Sequence, residues 1–161
     1  MKRGEKGIYA LMALAVLATG AYSAFSSRGA APDRGIPYYS DAPAELAREA
    51  MDIYRDAGCK SCHSLWTVRD LTQAVPAPIL DGIGSLRSEA WLYQYLSSAE
   101  PQSVLPSRLK KEYRMPSYAQ LPENQRKSLA KYLASLKVQD WYLADTRKAE
   151  YEKLTGKTYQ P

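Results

Sequence analysis

Cys59-Lys60-Ser61-Cys62-His63 is the stretch from which the fold of this chain can be read. It holds both cysteines and the only histidine of a 161-residue sequence. Two thiols three positions apart, followed at once by an imidazole, are the attachment signal for a c-type haem. Each thiol can form a thioether to one vinyl group of a single haem, and the next residue then brings an imidazole under the iron. His63 is thus the expected proximal ligand. Both thiols are used, so nothing remains for a disulfide or a second haem. Two other chemistries fit these residues less well. A thioredoxin-like pair needs a βαβ setting that the neighbouring sequence lacks. A structural zinc site needs four ligands, and the chain has only three Cys or His in total.

The far side of the iron is read by elimination. A second histidine is absent, which leaves a methionine, a tyrosine or an open position. Met1 and Met12 lie in or before an apolar N-terminal segment, and Met51 lies on the stretch leading into the haem run, where it reads as core packing. Met115 follows Leu105-Pro106 and precedes Leu121-Pro122, in a loop from which a thioether can turn inward. Met115 is the expected sixth ligand.

Around these residues the periodicity is helical. Ala47, Ala50, Met51 and Tyr54 recur at three- and four-residue steps, and Gly58 ends that helix just before the cysteines. Leu129, Tyr132, Leu133 and Leu136 form a second stripe, with Arg126, Lys127, Lys131 and Lys137 on the wetter side. Pro122 stands where a first helical turn tolerates it. No run alternates apolar and polar residues as strands need. The reading is all-α: three or four short helices around one covalent haem, which supplies apolar surface that so small a domain lacks.

Several stretches now resemble a class I, monohaem cytochrome c. Residues 50–59 resemble the family's first helix running into the haem motif. Ala77-Pro78-Ile79-Leu80-Asp81-Gly82-Ile83-Gly84 resembles its GP-x-L-x-G-x-G segment, with alanine in place of the first glycine. Glu89-Ala90-Trp91-Leu92 resembles the start of the helix between the two ligands, and residues 121–137 resemble the closing helix. The resemblance covers about residues 45–137. It implies that Pro78 packs near His63, with a nearby backbone carbonyl taking the imidazole Nδ1 proton. It also implies that Trp91 approaches a haem propionate, and that Tyr54 meets Tyr132 where the first and last helices cross. Ala50 stands where a glycine often allows close helix crossing.

The N-terminus bears on location. Lys2, Arg3 and Lys6 precede residues 8–25, which carry no charge. Eighteen residues at 1.5 Å each make roughly 27 Å of helix, against a hydrocarbon core of about 30 Å. The positive flank predicts a cytoplasmic N-terminus and an exported remainder, which agrees with the extracytoplasmic attachment of haem in bacteria. A retained anchor is the preferred reading, because the stretch is longer than a signal-peptide core. The small-x-small triplet Ala21-Tyr22-Ser23 keeps a cleaved signal peptide as the alternative. The expected organisation is an anchor or signal segment over residues 1–28, a Pro/Gly-rich tether over 29–44, the haem domain over 45–137 and an extension over 138–161. The expected location is the inner (cytoplasmic) membrane, single-pass, with the haem domain on the periplasmic side.

The extension carries Trp141, Tyr142, Leu143, Tyr151 and Leu154, and reads either as a docking arm or as a helix packed on its own domain. The net charge is +5, and Arg108, Lys110, Lys111 and Arg114 cluster before Met115. If Met115 binds iron, this patch rims the haem edge and steers an acidic redox partner; ordinary loop solvation fits the same residues. No nucleic-acid-binding motif appears. Two function classes stand. One is one-electron transfer by a His63/Met115 haem, as a free carrier or as a subunit or partner of a membrane respiratory or photosynthetic redox complex, and without enzymatic activity of its own. The other is a haem enzyme or gas sensor with an open sixth position. That class needs a distal acid–base group, and no second histidine supplies one.

Overall fold

A computed structural model describes residues 3–27, 34–66, 68, 75 and 77–160, and the chain divides into two compact units, Met1–Gly35 and Ile36–Pro161. Among the described residues, the first unit contains one helix, α1 (Arg3–Ser27). Its window Gly7–Phe25 has a mean hydropathy of 1.7, and no part of it is buried by protein. Leu11, Leu14, Val16 and Leu17 are all exposed. A helix satisfies its own backbone, so this one is long and apolar enough to cross a membrane. A signal sequence meets the same two criteria. Residues 28–33, which include the start of the expected tether, lie outside the described residues.

The second unit begins with a strand, β1 (Tyr38–Ser40), then α2 (Ala44–Asp56) and a 3-10 turn over Cys59–Ser61. After it come α3 (Glu89–Ser97), the four-residue α4 (Pro101–Val104) and α5 (Glu123–Ser135). Then follow β2 (Leu136–Val138) and α6 (Asp140–Thr155). α5 packs against both α2 and α3, so the chain's second apolar stripe is the centre of the core. Leu129 and Tyr132 are each 2% exposed, and Ala50 and Ala130 are fully buried. Ala47 and Met51 pack against the same cluster. Burying a Leu side chain stabilises by about 1.5–3 kcal/mol, and Leu129, Leu133 and Leu136 all do so here.

The helical expectation holds for most of this unit, and the strand pair is the departure from it. β1 pairs antiparallel with β2, placing Tyr38 opposite Val138 and Ser40 opposite Leu136. Ser40 and Ser135 also share a hydroxyl–hydroxyl bond of 2.9 Å. Residues 38–40, expected in the tether, therefore belong to the folded unit. The physical reason lies in Leu136. It falls three residues after Leu133 and so continues the helical spacing, yet its backbone is extended at φ −77°, ψ 107°. Three residues are too few for a period of two to stand out against a period of 3.6.

Two glycines in this unit answer to geometry. Gly58, at φ 74°, reverses the chain after α2 and delivers it to the cysteines. Gly84, in the 3-10 turn Ile83–Ser85, lies against the backbone of Ala134 near the end of α5, where a Cβ would have no room. That docking is secured by Lys137, whose Nζ donates to the Gly84 carbonyl at 2.6 Å, and by Ser85 Oγ, which accepts from the Val138 amide at 3.0 Å.

α6 lies back on the same unit. Arg87 bridges Glu150 at 2.8 Å, with both side chains only about one-fifth exposed. Arg108 donates from Nε to the Leu154 carbonyl at 3.0 Å, and from its guanidinium to the Lys153 carbonyl at 2.8 Å. Tyr142 meets Tyr38 edge-to-face, with ring centroids 5.7 Å apart. Of the two readings of the extension, packing on its own domain is the one these contacts realise. Arg108 belongs to them as the cap of a helix C-terminus, where a cation is favoured, and not to a free basic rim.

Candidate cofactor site

The site starts from the turn after α2. The Gly58 reversal and the 3-10 turn present Cys59 and Cys62 at its edge, both half-buried thiols. His63 follows, and its Nδ1 donates to the Pro78 carbonyl at 2.8 Å. A carbonyl can only accept, so this bond fixes the neutral tautomer with its proton on Nδ1 and the lone pair on Nε2. Burial pushes the imidazole pKa below its ordinary value, with the Pro78 bond partly opposing that shift. A neutral imidazole oriented through its other nitrogen is the form that ligates a metal.

The walls are tied to this turn. Tyr54 of α2 donates from its hydroxyl to the His63 carbonyl at 2.8 Å. Trp66 donates from Nε1 to the Tyr132 hydroxyl at 3.1 Å and is held at φ 54°, a left-handed conformation that a bulky residue rarely adopts unaided. Leu80 donates its amide to the carbonyl of the buried Ser64 at 3.0 Å, which keeps the Pro78 segment beside the histidine. Tyr54 and Tyr132, expected together at the helix crossing, are both buried in the one core.

Met115 is partly buried against this core, in the loop between α4 and α5. Three residues later the Tyr118 hydroxyl donates to the Ala57 carbonyl at 3.4 Å. Burial is the main cause that raises both the Cys59 and the Tyr118 pKa. The methionine loop is thus joined by one side chain to the end of α2, two residues before the first cysteine. Trp91, on α3, stacks on Tyr95 at 5.2 Å and lies under the Arg87 guanidinium at 4.9 Å. Its contacts are therefore with the residue that also holds α6.

Sequence reasoning did not pick out Tyr118, Arg87 or Gln102, whose Nε2 donates to the Met115 carbonyl at 3.0 Å. Tyr118 carried one usable signal, an aromatic three residues beyond the methionine. Gln102 carried none, because its partner is a backbone atom. Among the described residues no group of three or more His, Cys, Asp or Glu could hold a metal ion by itself. The donor set here suits a haem: two thiols to make thioethers, one preoriented neutral imidazole and a half-buried methionine packed on the same core as Cys59.

A family model described as Cytochrome c matches residues 47–137. No curated protein and no solved structure matches the chain.

Proposed function

The chain belongs to the cytochrome c family, which binds c-type haem covalently through cysteine thioethers, and from that premise we propose a membrane-anchored one-electron carrier with a His63/Met115 haem. The haem supplies the iron couple, and every other part of the chemistry falls to the chain. Cys59 and Cys62 would hold the macrocycle as thioethers. His63, whose Nδ1 is spent on the Pro78 carbonyl, would supply Nε2 to the iron, and Met115 would supply its thioether, a ligand pair that serves both redox states. Trp91, with Arg87 at its face, would bind a propionate.

The observation that carries this reading is the 2.8 Å bond from His63 Nδ1 to Pro78, directly after the two cysteines. It leaves Nε2 free to ligate a metal by spending Nδ1 on the backbone. The proposed anchor is α1, whose uncharged stretch follows Lys2, Arg3 and Lys6, a charge order that supports a periplasmic haem domain at the inner membrane. The partners are then redox proteins, a membrane complex among them, met within the reach of a short connection. An open sixth position, as in a haem enzyme or sensor, finds less support, because Met115 is packed on the core and its loop is joined to the end of α2 through Tyr118.

The test is optical. The oxidised full-length holoprotein is expected to show the weak far-red charge-transfer band of thioether–iron ligation, and Met115→Ala to lose it while keeping its haem. An identical spectrum in both proteins rules out Met115 as the ligand. Carbonate extraction tests the anchor: haem retained in the membrane pellet supports it, and haem released to the supernatant points to cleavage after the signal segment.

A further inference from the structure

The Met115 loop is fastened from outside itself, at two points. Gln102 donates from Nε2 to the Met115 carbonyl at 3.0 Å, and Ser117 donates from Oγ to the Ser98 carbonyl at 2.8 Å. Pro116, between them, has no amide proton to offer. The Ser117 hydroxyl also accepts from the Ala119 amide at 3.3 Å, so it has a local turn to make wherever the loop lies. Gln102 has no such local task. It stands on α4, based on the buried Pro101 at the first helical position. Its Oε1 is buried and has no hydrogen-bond partner among the described residues.

A buried, half-satisfied amide is costly, and an apolar side chain of similar size would avoid that cost. The donor is what the glutamine supplies, and Met115 receives it. We propose that Gln102 is the positioning residue for Met115: its amide fixes the main chain at residue 115, and so the direction from which the thioether meets the iron. The proposal rests on Met115 being the sixth ligand. A thioether is a weak, uncharged ligand, so its hold on the iron depends on how well the chain restricts it.

Gln102→Glu keeps the shape and removes the donor; Gln102→Leu removes the polarity as well. In the ferric full-length holoprotein, each variant is titrated with imidazole, a competitor for the sixth position, while the far-red band is followed. One hydrogen bond is worth a net of about 1 kcal/mol, which is about a fivefold change in equilibrium. Both variants are expected to bind imidazole about fivefold more tightly, and to show a weaker band before any is added. Ser128→Ala, which removes a 2.8 Å bond to Glu49 on the exposed side of α5, is expected to match the wild type. Unchanged imidazole affinity in both variants, with the band intact, overturns the proposal. A tighter affinity in Ser128→Ala as well makes the effect one of general stability, and overturns it too. A wild type without the band, and unaltered by Met115→Ala, removes the sixth-ligand reading instead, which the imidazole comparison alone cannot do.

Discussion

Replacing Gly84 by alanine isolates the steric fit between the 83–85 turn and α5. The new Cβ would press on the Ala134 carbonyl oxygen, and would lie 2.5 Å from its carbonyl carbon and 2.9 Å from its Cα. These are backbone atoms inside the last turns of a packed helix, so relief requires the turn to move away as a body. Overpacking of this kind costs about 1–3 kcal/mol. The movement also stretches the Lys137–Gly84 bond and the Val138–Ser85 bond, each worth about 1 kcal/mol net. The total is about 3–5 kcal/mol, a large part of the roughly 5–15 kcal/mol that holds a domain folded. At about 4 °C per kcal/mol for a domain of this size, Tm falls by about 12–20 °C. Gly58→Ala is the matched comparison. It has nothing within 4 Å, but its φ is 74°, so it pays only for left-handed backbone, about 1–2 kcal/mol. Thermal unfolding of the holoprotein in detergent, followed by far-ultraviolet circular dichroism, measures both. If Gly84→Ala melts within 3 °C of the wild type, or loses less than Gly58→Ala, the steric account is wrong.

Three further outcomes follow from the same contacts. Arg108→Ala leaves the Lys153 and Leu154 carbonyls uncapped, and tryptic cleavage near the end of α6 is expected to quicken about fivefold, for about 1 kcal/mol of local stability. Glu150→Gln weakens the part-buried pair with Arg87 and is expected to cost about 1 kcal/mol in chemical denaturation, a loss that high salt reproduces only in the wild type. Tyr38, raised by burial and then by Tyr142 to about 12, binds its proton more tightly folded than unfolded. Its contribution is fully present below about pH 10 and lost as pH rises through about 12, and Tyr38→Phe should flatten that decline in a denaturation series across the range.

What could be read from the chain followed residue chemistry. Covalent attachment and metal ligation restrict which side chains can serve, so Cys59, Cys62 and His63 announced their cofactor by type and spacing. The α5 stripe was equally plain, because Leu129, Tyr132 and Leu133 all bury one face of a long helix. The partners of these groups were not legible where they are backbone atoms. Pro78 could be approached through a family resemblance, yet its carbonyl would be the same in any residue, and nothing in Gln102 points to an acceptor thirteen positions away. Arg108 shows the converse. Its charge was visible and its neighbours were basic, so the cluster read as a surface field, whereas the guanidinium spends its donors on α6. Strand β2 escaped because Leu136 satisfied a helical spacing while adopting an extended backbone.

The β1–β2 pairing has a mechanical consequence. The polypeptide enters the haem-bearing unit at Ile36 and is knitted two residues later to the segment that links α5 to α6. A pull on the chain from its N-terminal side is thus met first by the Tyr38–Ser40 ladder and the Ser40–Ser135 hydroxyl pair, and is carried directly into α5. The load bypasses α2 and the cysteine turn. For the membrane-anchored carrier proposed above, such a pull would reach α5 before it reached the cysteine turn.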